Sequence, residues 1–157
     1  MNLKIEYLKG DATSPQKDGN KIIVHVCNDI GGWGRGFVTA ISAKWKEPEK
    51  AYRNWFRSKE NFELGAAQFI KVENDVWIGN MIGQHGIKSN TNSTPPIRYD
   101  SVEKALQKVA IFAIEKEASI HMPRIGCGLA GGKWENIEPL INKALIDNNI
   151  KVFVYDF

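Results

Sequence analysis

The chain has 157 residues, of which 43% are hydrophobic and 25% are charged, the balance of an ordinary globular protein with one buried core. We therefore expect a single domain over residues 1–157. The net charge is only +3 and the basic residues are scattered, which disfavours a nucleic-acid-binding protein but allows a ligand that carries phosphate.

Cysteine count and hydropathy set the expected environment. The two cysteines, Cys27 and Cys127, are too few for a disulfide-stabilised secreted scaffold, and we expect reduced, partly buried thiols in a cytoplasmic protein. No signal peptide and no apolar run long enough to span a bilayer is recognised, so no membrane partner is expected. The spacings CxxC and HxxxH are absent, and neither a metal nor another cofactor is expected.

Hydrophobic periodicity divides the chain into short strands and longer helices. In chain order, the pattern predicts strands over 3–8 and 22–27, helices over 37–45 and 51–56, strands over 67–72 and 76–82, a helix over 100–116, a strand over 120–125, a helix over 135–147 and a strand over 152–155. Pro48 marks a helix stop or restart, and Pro139 predicts that the regular part of the last helix begins there. Residues 83–97 are polar and too long for a plain connection, which predicts a functional or mobile loop.

Two features of these segments indicate the fold class. Strands are separated by helices, which predicts an α/β sandwich, and the strands over 67–72 and 76–82 form an antiparallel hairpin that makes the sheet mixed. The strand over 22–27 is apolar except at His25, as expected for a central strand that is buried on both faces.

Two glycine-rich loops each follow a predicted strand and precede a predicted helix. The first covers residues 28–36, and the second covers residues 126–132, with glycine at 126, 128, 131 and 132. A strand, a glycine loop and a helix start can together point unpaired backbone N–H groups at an anion, although two tight turns without a ligand are the alternative. If the two strands are parallel, both loops lie at one rim of the sheet and can hold a single ligand.

Neither loop fits a familiar phosphate-binding motif. Cys127 stands where a P-loop needs its first glycine, and Trp134 follows Lys133 where that motif needs serine or threonine. The first loop lacks GxGxxG spacing and has no acidic residue at the distance that a dinucleotide site uses for ribose. A pyrophosphate held between the two loops by main-chain amides is the interpretation that remains.

Three segments resemble the macro domain family. They are KGDAT at 9–13, Asn28 with its glycine loop, and MPRIGCGL at 122–129 followed by WEN at 134–136. The resemblance covers nearly the whole chain and is nearest to the branch of small ADP-ribose-1″-phosphate phosphatases and terminal ADP-ribose–glutamate hydrolases. It implies a three-layer αβα sandwich with a mixed, mostly parallel central sheet, and an ADP-ribose cleft at the rim of that sheet.

The resemblance also implies a set of ligand contacts. Asp11 would accept a hydrogen bond from the adenine amino group, or would cap the next segment instead. Asn28 would orient the distal ribose, or would open the loop as an Asx turn. Arg35 would lie with the neighbouring glycines along one side of the diphosphate, or would be a charge that faces solvent, and it is left out of the predicted set. The residues predicted to bind ligand are Asp11, Ala12, Asn28, Gly32, Trp33, Gly34, Gly36, Phe37, Gly126, Cys127, Gly128, Leu129, Ala130, Tyr155 and Phe157.

Aromatic and sulfur side chains have competing interpretations. Trp33, expected to be exposed within its glycine loop, is predicted to cover the distal ribose. Tyr155 and Phe157 are predicted to lie on the adenine side, although most aromatic residues fill cores. No histidine is placed near Cys127 by the sequence, so we expect a small loop residue and not a nucleophile.

The chain departs from the hydrolase motifs of the family. Ala130 stands where the glutamate-specific branch has an aspartate, Gln84 or His85 stands where it has a loop lysine, and FVT at 37–39 replaces the GVD motif of another hydrolase class. His25 resembles the histidine that precedes the glycine loop in the phosphatase branch, or is a satisfied histidine in a buried strand. Asp29 would hold water for attack, or would merely face solvent. The predicted catalytic residues are His25, Asn28 and Asp29.

Three functions follow from this pattern. The first is ADP-ribose binding with hydrolysis of the phosphomonoester of ADP-ribose-1″-phosphate. The second is a non-catalytic reader of ADP-ribose or of ADP-ribosylated protein. The third is a hydrolase that removes ADP-ribose from modified proteins with water positioned by Asn28 and by the substrate's own diphosphate. We expect an ADP-ribose-1″-phosphate phosphatase or a related ADP-ribosyl hydrolase.

Overall fold

The computed structural model describes residues 3–87 and 94–157. Over these residues the chain forms six strands, four α-helices and one short 3₁₀ turn, and every strand and helix predicted from periodicity is present. In chain order they are β1 (Glu6–Lys9), β2 (Lys21–Asn28), α1 (Phe37–Lys44), α2 (Glu47–Ser58), β3 (Ala67–Glu73), β4 (Val76–Gln84), α3 (Tyr99–Lys116), β5 (Ser119–Met122), α4 (Trp134–Ala144), the 3₁₀ turn (Ile146–Asn148) and β6 (Val152–Asp156).

All six strands belong to one sheet, in the order β1-β6-β5-β2-β4-β3. In this sheet order, the adjacent pairs β1/β6, β6/β5, β5/β2 and β2/β4 are parallel. The last pair, β4 and β3, is an antiparallel hairpin. The predicted mixed, mostly parallel sheet is therefore confirmed. Because β2 lies between β5 and β4, its apolar run occupies the interior position that the sequence indicated.

The side chains of β2 alternate between two separate cores, one on each face of the sheet. Ile22 and Val24 pack with α3 and α4, whereas Ile23 and Cys27 pack with α1 and α2. The period of two along a strand sends successive side chains to opposite faces, so a strand that is apolar at nearly every position needs helices on both sides. The fold is thus a three-layer αβα sandwich.

The start of α4 differs from the prediction. The helix begins at Trp134 and carries Pro139 in its interior, so the prediction that the regular helix starts at Pro139 is wrong. The N–H groups of Asn136 and Ile137 both donate to the carbonyl of Lys133, at 2.9 and 3.2 Å, which closes the first turn before the proline is reached.

Two other segment boundaries also differ from the prediction. The second helix, α2, begins at Glu47 because Pro48 fits a first turn, where the missing N–H would have had no partner. The predicted loop over 83–97 is shorter than expected, since β4 continues through Gln84 and Gln84 forms an antiparallel bridge with Ile97. Residues 88–93 of that loop lie outside the described residues.

The parallel strands place several connections at one rim of the sheet. The carboxyl ends of β1, β2, β4, β5 and β6 point the same way, so the segments that follow them meet at this rim. Both glycine loops are among these segments. None of the four helices in the described ranges combines the length and the apolar composition that crossing a bilayer would need.

Candidate functional site: a cleft between two glycine loops

The first glycine loop is closed by the side chain of Asn28, at the end of β2. Its Oδ1 accepts the N–H groups of Ile30 and Gly32 at 3.1 and 3.0 Å, and its Nδ2 donates to the carbonyl of Gly32 at 3.0 Å. The buried Tyr52 hydroxyl lies 2.8 Å from the same Oδ1 and donates to the Asn28 carbonyl at 2.6 Å. The Asx turn that the sequence allowed for Asn28 is present, and α2 holds it in place through Tyr52.

After this turn the loop presents unpaired main-chain donors. Gly36, at φ +80°, lies immediately before α1 and provides no side-chain cap. Among the described residues, the N–H groups of residues 33–38 donate to no backbone or side-chain acceptor. Free N–H groups at a helix N-terminus form a natural anion site.

The second glycine loop folds back on itself. Gly132 donates to the carbonyl of Gly126 at 2.7 Å, and Gly131 donates to the carbonyl of Gly128 at 3.0 Å. A Cβ on Gly132 would lie 2.5 Å from that Gly126 oxygen, so only glycine allows this approach. Within the part of the chain that the structure describes, the N–H groups of residues 128–130 have no acceptor.

The two loops line the same clefts. A larger cavity of about 570 Å³ and a smaller cavity of about 260 Å³ both have walls from the segments that follow β2, β4 and β5. Four residues line both cavities, and they are Val26, Arg35, Gln84 and Leu129. Two adjoining cavities with free amides on facing loops can hold an elongated anionic ligand.

Most residues predicted from the sequence lie in these walls. Those that line the larger cavity are Asn28, Gly32, Trp33, Gly34 and Leu129. Those that line the smaller cavity are His25, Gly36, Phe37, Gly126, Gly128, Leu129 and Ala130. Six predicted residues line neither of the two cavities, and they are Asp11, Ala12, Asp29, Cys127, Tyr155 and Phe157.

The residues assigned to the adenine side occupy different environments. Asp11 Oδ1 accepts the N–H and the hydroxyl of Thr13, at 2.8 and 2.7 Å, so it caps its own turn. Ala12 and Tyr155 are 3% and 7% exposed and share a small cluster with Phe153, against which Phe37 packs. Phe37 thereby connects this cluster to the smaller cavity. Phe157, in contrast, is fully exposed.

Trp33 is buried, so the prediction that it is exposed is wrong. Only 7% of the residue is accessible, and its Nε1 donates to Ser42 Oγ at 2.8 Å. Its ring meets His25 edge-on with centroids 5.3 Å apart and lies 5.5 Å from the ring of Tyr52. Burial of the indole ring against α1 and α2 is more favourable in free energy than its exposure to water.

His25 lies beneath the smaller cavity as a buried, neutral imidazole. It is 2% exposed, and its Nε2 lies 2.5 Å from Asn80 Oδ1. Burial lowers the pKa of His25 to about 4, and the hydrogen bond that its Nε2 donates to Asn80 Oδ1 only partly offsets that effect. Burial likewise raises the pKa of the neighbouring Cys27 thiol, so no thiolate forms there near neutral pH.

Cys127 occupies a half-buried position in the second loop. Burial raises the pKa of its thiol, although the nearby Arg124 acts in the opposite direction. Its N–H donates to the Arg124 carbonyl at 3.3 Å. These features agree with a loop residue and give no sign of an activated nucleophile.

Two residues that line the site, Arg35 and Arg53, were not in the predicted set. Arg35 lines both cavities, and Arg53 lines the larger one while bonding Glu49 at 2.9 Å and the Gly31 carbonyl at 3.2 Å. The position of Arg35 between two glycines was the available signal, whereas nothing local in the sequence indicated Arg53.

Asp29, predicted to be catalytic, joins two loops. Its Oδ2 lies 2.7 Å from Nδ1 of His85, and its Oδ1 accepts the N–H of Gly86 at 2.7 Å. The segment after β2 is thereby connected to the segment after β4. No group of three His, Cys, Asp or Glu side chains that could hold a metal ion is found within 3–87 and 94–157.

No family model matches this chain. It is 33% identical over 153 residues to human ADP-ribose glycohydrolase OARD1, covering 97% of this chain and 91% of that protein. It is 28% identical over 149 residues to ADP-ribose 1″-phosphate phosphatase of Candida albicans, covering 88% and 92%.

A larger relative matches over a small part of its own length. Mouse chromodomain-helicase-DNA-binding protein 1-like is 32% identical over 162 residues, which covers 98% of this chain but only 18% of that protein. The zebrafish protein of the same name is covered over 15% of its length.

A solved structure also resembles this chain in sequence and in fold. The macrodomain protein from Streptomyces coelicolor superposes with a TM-score of 0.88 at 52% identity, over 98% of this chain and 99% of that chain. The shared fold, the facing glycine loops and these relatives together show that the chain belongs to the macrodomain family, in the branch of the ADP-ribose 1″-phosphate phosphatases and OARD1.

Proposed function

We propose that this protein binds ADP-ribose along the cleft and hydrolyses a derivative substituted at the 1″ position of the distal ribose. The observation that carries the proposal is the pair of glycine loops whose unpaired N–H groups line adjoining cavities. Oriented main-chain donors of this kind bind phosphate oxygens without any further cation.

In the proposed complex, the diphosphate lies between the first turn of α1 and residues 128–130. The adenosine end then extends past Phe37 toward Asp11, whose Oδ2 is available for the adenine amino group. Tyr155 would support this end from within the small apolar cluster, and Phe157 would close over it from the exposed terminus. The distal ribose enters the larger cavity beside Asn28.

The side chains expected beside the distal ribose are polar, and none of them carries a buried charge. Asn28 Nδ2 uses one hydrogen on the Gly32 carbonyl, and its second hydrogen is available to orient a ribose hydroxyl or a water. His25 contributes a neutral wall to the smaller cavity, because its pKa of about 4 keeps it uncharged near pH 7. Activation of water must therefore come from elsewhere at the rim.

The first candidate substrate is ADP-ribose-1″-phosphate. Its extra phosphate would place more negative charge beside Arg35, which lines both cavities, and would use N–H groups of the first loop. Hydrolysis would release inorganic phosphate and leave ADP-ribose. The relative from Candida albicans carries the name of this activity.

The second candidate is ADP-ribose attached to a protein side chain. Three exposed apolar residues favour it: Ile87 and Leu129 line the larger cavity and Ile30 belongs to the first loop, with exposures of 56%, 49% and 48%. Such side chains suit contact with a polypeptide better than contact with a free phosphate. The human relative is named as an ADP-ribose glycohydrolase.

Binding and turnover are tested separately. Calorimetry with free ADP-ribose should give saturable binding in the wild type, and the absence of heat at millimolar ligand would refute the proposal. Phosphate release from ADP-ribose-1″-phosphate is then compared with ADP-ribose release from a glutamate-modified protein. Asn28→Ala and Asp29→Ala should lower either activity. Binding without either product would identify a reader.

A further inference from the structure

Asp29 and His85 form a hydrogen-bonded pair at the rim of the sheet. Asp29 directly follows β2 and His85 directly follows β4, and these strands are parallel neighbours. The Oδ2 of Asp29 lies 2.7 Å from His85 Nδ1, and its Oδ1 accepts the Gly86 N–H at 2.7 Å. Both oxygens of one carboxylate are thus used to fix the segment that carries His85.

This contact selects the tautomer of the neutral imidazole. A carboxylate can only accept a hydrogen bond, so Nδ1 of His85 carries the proton and Nε2 presents its lone pair. The side chain of His85 is 62% exposed and that of Asp29 only 17%, so the carboxylate holds the ring from the protein side and leaves Nε2 accessible. An aspartate orients a histidine in this way in hydrolases whose imidazole takes a proton from the nucleophile.

The chain neighbours of the pair line the larger cavity, although Asp29 and His85 themselves do not. Asn28, which precedes Asp29, lines that cavity, and Gln84 and Ile87 line it on either side of His85. The other two histidines of the chain are closed to solvent, because His25 is 2% exposed and His121 is 0% exposed. An accessible imidazole nitrogen is therefore found at His85 and at neither of the others.

We propose that His85 is the general base of the hydrolytic site and that Asp29 is its positioning residue; this inference rests on the proposed function. With ADP-ribose-1″-phosphate, His85 Nε2 takes a proton from water as the water oxygen bonds to phosphorus. The bond between phosphorus and O1″ breaks, O1″ takes up a proton from solvent, and the imidazolium releases its proton to solvent. The products are inorganic phosphate and ADP-ribose, and His85 is neutral again. With a protein ester the same base activates water for attack on the acyl carbon, which releases ADP-ribose and the free carboxyl group.

Matched variants distinguish a catalytic role of His85 as a base from a structural role in which it only connects two loops. In His85→Asn the amide can still donate to Asp29, but it offers no basic nitrogen in place of Nε2. We therefore expect kcat to fall by about 10²- to 10³-fold while the Kd for ADP-ribose stays within about twofold. His85→Ala removes the base and leaves an exposed space, so added imidazole should restore turnover. Asp29→Asn should lower kcat by about tenfold and alter the ¹⁵N NMR signals of the His85 tautomer.

The outcomes distinguish this inference from the proposed function. If the wild type hydrolyses either substrate and His85→Asn keeps its kcat, or imidazole has no effect on His85→Ala, the base role is refuted and the proposed hydrolysis stands. If the wild type binds ADP-ribose but hydrolyses neither substrate, the proposed hydrolysis fails and the base role fails with it. A large rise in the ADP-ribose Kd of His85→Asn, with kcat retained, would show that the pair only shapes the cleft.

Discussion

Replacing Gly128 by glutamate should abolish ADP-ribose binding without unfolding the protein. Gly128 lines the smaller cavity, and a Cβ built on it meets no atom within 4 Å. Its φ lies outside the left-handed region, so a side chain at this position causes no backbone strain. The substitution therefore changes the cleft and leaves the fold intact.

The expected loss follows from charge and volume. In the proposed complex the diphosphate lies against the N–H groups of residues 128–130, so a carboxylate at 128 stands about 5 Å from a phosphate charge. At an effective dielectric constant of about 20, each such pair of like charges costs about 3 kcal/mol, which is on the order of a hundredfold in Kd. The side chain also fills part of a cavity of only about 260 Å³.

Two control variants divide this loss into its parts. Gly128→Gln has nearly the size of glutamate without its charge and should weaken ADP-ribose binding by about tenfold, whereas Gly128→Ala should change it by less than about threefold. Binding is measured by calorimetry, and the melting temperature confirms that each variant is folded. If Gly128→Glu binds ADP-ribose as the wild type does, the diphosphate does not lie between these loops.

Three further measurements examine the support of the cleft. Tyr52→Phe should lower the free energy of unfolding by about 1–2 kcal/mol in urea titrations, because the lost hydroxyl donates to the Asn28 carbonyl; an unchanged midpoint would contradict this. Burial lowers the pKa of His25 to about 4 and that of His121 to about 3, below the ordinary 6.5, so the unfolded state binds more protons. Stability should then fall as pH drops below 6.5, by about 1.4 kcal/mol per pH unit for each histidine, and a flat profile from pH 7 to 5 would be the contrary result. Arg35→Ala should weaken ADP-ribose binding by about tenfold and reduce its dependence on salt, and equal affinities at low salt would place Arg35 outside the complex.

The layout of the sheet was predictable because it depends on periodicity and on short connections. The apolar run from 22 to 27 can be satisfied only between two layers of helices, and the hairpin that follows α2 is local in the chain. Helix ends were less predictable. Whether a proline such as Pro139 starts a helix or lies within it depends on which carbonyl accepts the earlier N–H groups, here that of Lys133.

The site was predictable where it consists of main chain and less so where it consists of side chains. Glycine spacing identifies a loop that can present amides, and both predicted loops line the cleft. The burial of Trp33 depends on Ser42 and Tyr52, which come from later helices, so no local pattern in the loop reports it. The contact of Asp29 with His85 joins residues 56 positions apart and needs β2 and β4 to be neighbours.

The distance between the two glycine loops is set by the sheet. The first loop follows β2 and the second follows β5, and these strands pair directly, with Ile22 opposite Ile120 and Ile23 opposite His121. Paired strands lie about 4.8 Å apart, so the two segments of chain that lead into the loops start from neighbouring strands. Had another strand separated β2 from β5, the loops would start about twice as far apart and the same glycines would face separate ligands. The cleft therefore depends as much on the strand order as on the glycines themselves.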